Sequence, residues 1–103
     1  MPKVWIVSDN GHDFSRAAEF GDSTFLFAKD EKINVFATDA LALDIQTKLA
    51  GAAPADFLIP TGNAVANCIA YAHLMMEFGQ VNVLIYSFRD ATYELRTIRD
   101  TEG

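Results

Sequence analysis

Apolar positions along this chain fall into short continuous runs and helical stripes, separated by clusters of turn-forming residues. Lys3-Val4-Trp5-Ile6-Val7-Ser8 is β-branched, aromatic and almost wholly apolar, as a strand buried on both faces should be. It ends in the turn formers Asp9-Asn10-Gly11-His12-Asp13. Phe14 to Phe20 reads as a short helix with Asp13 or Ser15 as N-cap and Gly21 as its stop. Ser23 to Ala28 and Ile33 to Phe36 read as strands, and the charged Lys29-Asp30-Glu31-Lys32 between them predicts an edge hairpin.

Thr38 or Asp39 then caps a helix over Ala40 to Ala50, closed by Gly51. Leu41, Ile45 and Leu49 share its apolar face, while Asp44 and Lys48 form an acid-before-base pair outside. Ala52 to Ala55 is a short connection, and Phe57 to Pro60 is a strand that Pro60 must terminate. The helix Asn63 to Phe78 is apolar nearly all round, with Val65, Ile69, Ala72 and Met76 on one stripe and Ala66, Ala70, Leu74 and Phe78 on another. Such a helix is expected to be covered on two sides. After Gly79, Val81 to Phe88 is the strongest strand, and a turn over Arg89 to Thr92 leads to the alternating strand Tyr93 to Arg99. Thr101-Glu102-Gly103 reads as a tail.

The order β-α-ββ-α-β-α-ββ, over a single domain spanning residues 1–103, predicts an α/β fold. Strands separated by helices run parallel, and hairpins add antiparallel edges. The expected architecture is a compact Rossmann-like sandwich with a mostly parallel sheet.

Composition adds one element to this picture. Half of the 103 residues are hydrophobic, more than a small domain needs to bury, so a homodimer or other protein interface is expected. The net charge of −6 is spread without any Lys/Arg cluster, which disfavours tracking along duplex nucleic acid. No apolar run approaches the roughly 18 residues of a membrane span, no signal segment opens the chain, and a single cysteine fits a reducing compartment. A cytoplasmic protein is the expectation. Cys68, mid-helix among small and apolar residues, reads as a small core residue.

If the strands ending at Ser8, Pro60 and Phe88 are parallel, the loops after them lie on one sheet edge, where open α/β sheets bind ligands. Ser8, Asp9, Asn10 and Gly11 from the first loop, Thr61, Gly62, Asn63 and Asn67 from the second, and Arg89 from the third are therefore the candidate ligand-binding residues. Thr61-Gly62-Asn63 opens a helix whose free N–H groups suit a small anion; the same residue types also make an ordinary turn and cap. The Gly-Lys-Ser/Thr ending of a P-loop is missing.

His12 beside Asp13 is the candidate catalytic pair, since an imidazole next to a carboxylate can move a proton near neutrality. Asp9, His12 and Asp13 could instead ligate a divalent metal, or serve only turn and cap chemistry. No motif calls for a resident cofactor or metal. His73 reads as packed or interfacial, and Arg16, Arg96 and Arg99 as surface charges.

The segment Ile59-Pro60-Thr61-Gly62-Asn63-Ala64-Val65-Ala66 resembles the strand–Thr-Gly-Gly-Thr-Lys–helix element of CARF-type Rossmann-like domains. That resemblance implies binding of cyclic oligoadenylates across a dimer; here Asn63 stands in place of the second glycine and Val65 in place of the lysine. The whole chain also resembles small phage proteins that pair a Gly-His-Asp turn with a strand like Val81-Asn82-Val83-Leu84-Ile85, a likeness that implies no established activity. The expected function is binding of a small nucleotide or phosphate ligand, with sequestration or phosphodiesterase-like cleavage through His12. The alternative is a non-enzymatic oligomeric interaction protein whose interface uses the helix Asn63–Phe78.

Overall fold

The computed structural model describes residues 1–100. The predicted tail, Thr101 to Gly103, lies outside the described residues. Five strands, β1 (Lys3–Ser8), β2 (Asp22–Phe27), β3 (Phe57–Ile59), β4 (Gln80–Ser87) and β5 (Thr92–Arg99), form one mixed sheet in the order β2-β1-β3-β4-β5. The pairs β1–β2, β1–β3 and β3–β4 are parallel, and β4–β5 is an antiparallel hairpin. Two helices, α1 (Thr38–Lys48) and α2 (Ala64–Phe78), complete an α/β domain.

The two faces of the sheet are covered unequally. On one, Trp5, Val7, Leu58, Val81 and Val83 pack against Leu41, Ile45 and Leu49 of the α1 region and Ala66, Ala70 and Leu74 of α2. On the other, Val4, Ile6, Ile59, Leu84 and Tyr93 meet only Ala17, with Phe14 and Phe20 beside it. The helix expected over Phe14–Phe20 is in fact a five-residue 3-10 segment, Ser15–Glu19, with no side-chain cap. Too few residues separate Asp13 from Gly21 for a stable α-helix. Gly21 serves another purpose: a Cβ there would stand 2.1 Å from the Pro2 carbonyl oxygen, so Gly21 allows the chain to turn tightly against β1.

The expected hairpin over Ser23–Phe36 does not form. β2 pairs in parallel with β1, while Ile33–Phe36 is irregular and ends in a turn at Val35–Phe36, Ile33 packing on the core and Phe36 standing exposed. Two contacts explain the change of course. Glu31 accepts a hydrogen bond from the Ala28 N–H at 3.0 Å, closing a turn in which Asp30 has a φ of 65°. Lys48 then draws the loop to α1, lying 3.6 Å from Glu31 and over the Phe27 ring.

α1 begins two residues earlier than expected, and Ala37 rather than Thr38 or Asp39 occupies its cap without a side-chain bond. Leu41, Ile45 and Leu49 are buried, and Lys48 lies 3.3 Å from Asp44, as their spacing predicts. α2 is covered on two sides, by the sheet and by α1. Ala66, Ala70 and Leu74 are buried and Val65, Ile69, Tyr71, Met75 and Phe78 half-buried against the core, whereas Cys68, Ala72 and Met76 are exposed. Cys68 is thus not a core residue, because the sheet and α1 lie on the other sides of the helix. Asp56 ties the starts of β1 and β3 together, accepting from the Lys3 N–H (3.0 Å), Trp5 Nε1 (2.9 Å) and the Ala53 N–H (2.9 Å).

Candidate functional site

Because β1, β3 and β4 are parallel, the segments that follow them, 9–14, 60–63 and 88–91, reach the same edge of the sheet. The first is stiffened by three successive Asx turns. Asp9 accepts from the Gly11 N–H, Asn10 from the His12 N–H and Asp13 from the Ser15 N–H. These bonds to Ser15, aided by Arg16, hold the Asp13 carboxyl below its ordinary pKa, so Asp13 is a carboxylate at neutral pH.

The Thr61-Gly62-Asn63 turn is a clasp between strand ends. The Ser8 N–H donates to Thr61 Oγ1 at 2.8 Å, and that hydroxyl donates to the Ser8 carbonyl at 2.7 Å. Asn67 Oδ1 accepts from the Thr61 N–H, while its Nδ2 donates to the Thr61 and Asn63 carbonyls. Asn63 Oδ1 caps α2 by accepting from the Ala66 N–H. Gly62 has a φ of 72°, and a Cβ on it would meet Ser8 Oγ at 2.6 Å. The residue types that suggested a phosphate cradle thus have structural work to do, holding β1 to β3 and starting α2.

Beside the clasp, the thinly covered face of the sheet opens into a cavity of about 390 Å³. The 3-10 segment packs against β2 and β5, and the cavity opens beside it, between Phe14 and the β4–β5 hairpin. Phe14, Tyr86, Phe88 and Tyr93 supply aromatic walls, Ile59, Pro60 and Leu84 an apolar floor, and Asn10, His12, Asp13 and Thr61 polar groups. Tyr86 stands edge-on to both Phe88 and Tyr93, with ring centroids 5.1 and 5.2 Å apart. Burial, with Tyr86 and the Asp13 carboxylate nearby, raises the Tyr93 pKa, so its phenol stays protonated.

Of the residues proposed from sequence, Asn10, His12, Asp13 and Thr61 line this cavity. Ser8, Asp9, Gly11, Gly62, Asn63, Asn67 and Arg89 do not line it, being used in the clasp, the Asx turns or the hairpin loop. Among the described residues no three of His, Cys, Asp or Glu gather as a metal site, so Asp9, His12 and Asp13 are not brought together as ligands. The four aromatic walls were missed. Their signal was Tyr86 and Phe88 two apart on one strand face and Tyr93 across the hairpin, but only the pairing of Tyr86 with Tyr93 brings them together.

Fold and cavity together define an α/β domain with an aromatic-walled recess at the carboxyl edge of a mixed sheet. The chain belongs to the phage Pam3 gp32-like protein family, whose model matches residues 2–99. It is a small phage protein, as its overall likeness suggested, and it matches no CARF-type family model. No curated protein and no solved structure matches it. Among the described residues no helix is long and apolar enough to cross a membrane.

Proposed function

We propose that this chain binds a small nucleotide-like ligand, with the planar ring of the ligand in the aromatic cavity. The cavity carries the proposal: its volume of about 390 Å³ is of ligand size, and four aromatic side chains line it. Aromatic faces hold bases by stacking, which is tolerant of base identity. No Lys or Arg lines the cavity, so an anionic portion belongs outside it, where Lys29 lies against Gly11 and Arg89 follows Phe88. The Rossmann-like reading of the strand order and the CARF-like turn favour the same ligand class, and such a ligand fits a cytoplasmic protein. Where a bound nucleotide is turned over, His12 is the group expected to move the proton, with Asp13 beside it.

Calorimetric titration with adenosine, adenosine monophosphate, cyclic dinucleotides and cyclic oligoadenylates tests this. At least one should bind, and Phe88→Ala should weaken it by about tenfold or more while leaving the fold intact, since Phe88 is largely exposed. Absence of binding across the whole panel would remove the reading. His12→Ala should retain binding and lose any turnover.

A second reading, a homo-oligomer acting through its surface, is favoured by the large apolar side chains left exposed. Met76 and Leu43 stand out from the helices, and Leu95 and Ile98 from the end strand of the sheet.

A further inference from the structure

β5 ends the sheet, and among the described residues no strand pairs on its outer side. It is eight residues long, contains no proline, and pairs with β4 without a bulge from Gln80↔Arg99 to Ser87↔Thr92. Natural edge strands are usually blunted by such devices. The phase of its ladder follows from one bond: the Asp100 N–H donates to the Gly79 carbonyl at 3.0 Å. Since antiparallel pairs alternate, the N–H and C=O groups of Glu94, Arg96 and Ile98 face β4, and those of Tyr93, Leu95 and Thr97 face outward. The Leu95 carbonyl accordingly accepts from Arg96 Nη1 at 2.8 Å, a side chain folded onto the open edge.

We infer that β5 pairs with β5 of a second copy of this chain, antiparallel, about a two-fold axis through Leu95. This rests on the self-association reading and specifies its surface. An edge-to-edge two-fold stands perpendicular to the sheet and keeps like faces together, so each residue meets one of its own face. Charge then selects the register. Glu94 and Arg96 sit two apart on the helix-covered face, in line with Ile85 and Val83. Centring on Glu94 would oppose two carboxylates, and centring on Arg96 two guanidiniums. Centring on Leu95 sets Glu94 of each copy opposite Arg96 of the other, with Leu95 against Leu95 on the far face. The same register makes Leu95–Leu95 and the Tyr93–Thr97 pairs hydrogen-bonded pairs, each exchanging both N–H···O bonds. Within one chain Arg96 also lies 3.3 Å from Glu94. In the dimer it exchanges that partner and the Leu95 carbonyl for the facing copy's Glu94, and the half-exposed Leu95 and Ile98 are covered.

Analytical ultracentrifugation of the wild type and four variants tests this. The wild type should dimerise. Glu94→Arg and Arg96→Glu, each opposing like charges twice per dimer, should weaken the dimer by about tenfold. The double variant Glu94→Arg/Arg96→Glu should restore it. Leu95→Pro removes an outward N–H without touching the β4 ladder, and should yield folded monomers. A wild type that stays monomeric at high concentration overturns both this inference and the self-association reading. A dimer indifferent to the single reversals or to Leu95→Pro overturns this inference alone and assigns the interface to another surface.

Discussion

At Gly62 a left-handed φ of 72° coincides with the Ser8 hydroxyl standing 2.6 Å from where a Cβ would be. Gly62→Ala should therefore destabilise the fold by about 1–3 kcal/mol, read as a lowered midpoint in denaturant, because backbone strain and a displaced Ser8 act together. Thr61→Val keeps the shape but leaves the Ser8 N–H without its acceptor, and a loss of about 1–3 kcal/mol is expected. Asp56 is the other residue with a large role, holding three donors from two segments. Burial raises its pKa, but the bonds from Lys3, Trp5 and Ala53 outweigh that and hold it below 3.8. A depressed carboxylate stabilises the fold above its unfolded pKa, and the benefit is lost as pH falls through the folded value. Asp56→Asn should lower stability at pH 7 and flatten its fall below pH 3.8, as thermal melts across pH would show.

Among the elements, those with strong internal signals formed where their patterns place them. α2 has a capping Asn63 and a closing Gly79 at a φ of 71°, and α1 has its Leu41/Ile45/Leu49 stripe. Asn63→Ala should cost about 1 kcal/mol by removing the cap to Ala66. The segment between β1 and α1 differs for a physical reason. Short apolar runs such as Ser23–Ala28 and Ile33–Phe36 have no preference for one partner over another, and adjacency in sequence suggests a hairpin. β1 offered β2 a parallel partner buried on both faces, and Glu31 with Lys48 turned the chain away towards α1. The site was legible in the same uneven way. Asn10, His12, Asp13 and Thr61 follow strand ends and could be read as loop chemistry, whereas Tyr86, Phe88 and Tyr93 read only as strand residues until the hairpin register joined them.

For the whole molecule, the decisive fact is the unequal dressing of the sheet. Both helices lie on one face, and the other has a single 3-10 turn. The bare part becomes the aromatic cavity, and the bare end becomes the β5 edge. A ligand filling the cavity would stabilise the native state by mass action, so the melting temperature should rise with the concentration of any nucleotide that binds, and this rise should vanish in Phe88→Ala. The sequence alone sufficed for the α/β class, the five strands β1 to β5 and the two helices, because hydrophobic periodicity and capping are local. It also placed the polar loops after parallel strands. That Thr61-Gly62-Asn63 clasps two strands, that Cys68 is exposed, and that aromatic rings from one hairpin wall a cavity emerged from the packing. Those outcomes depend on which strand pairs with which and on how much of each face the helices reach, and neither quantity is local.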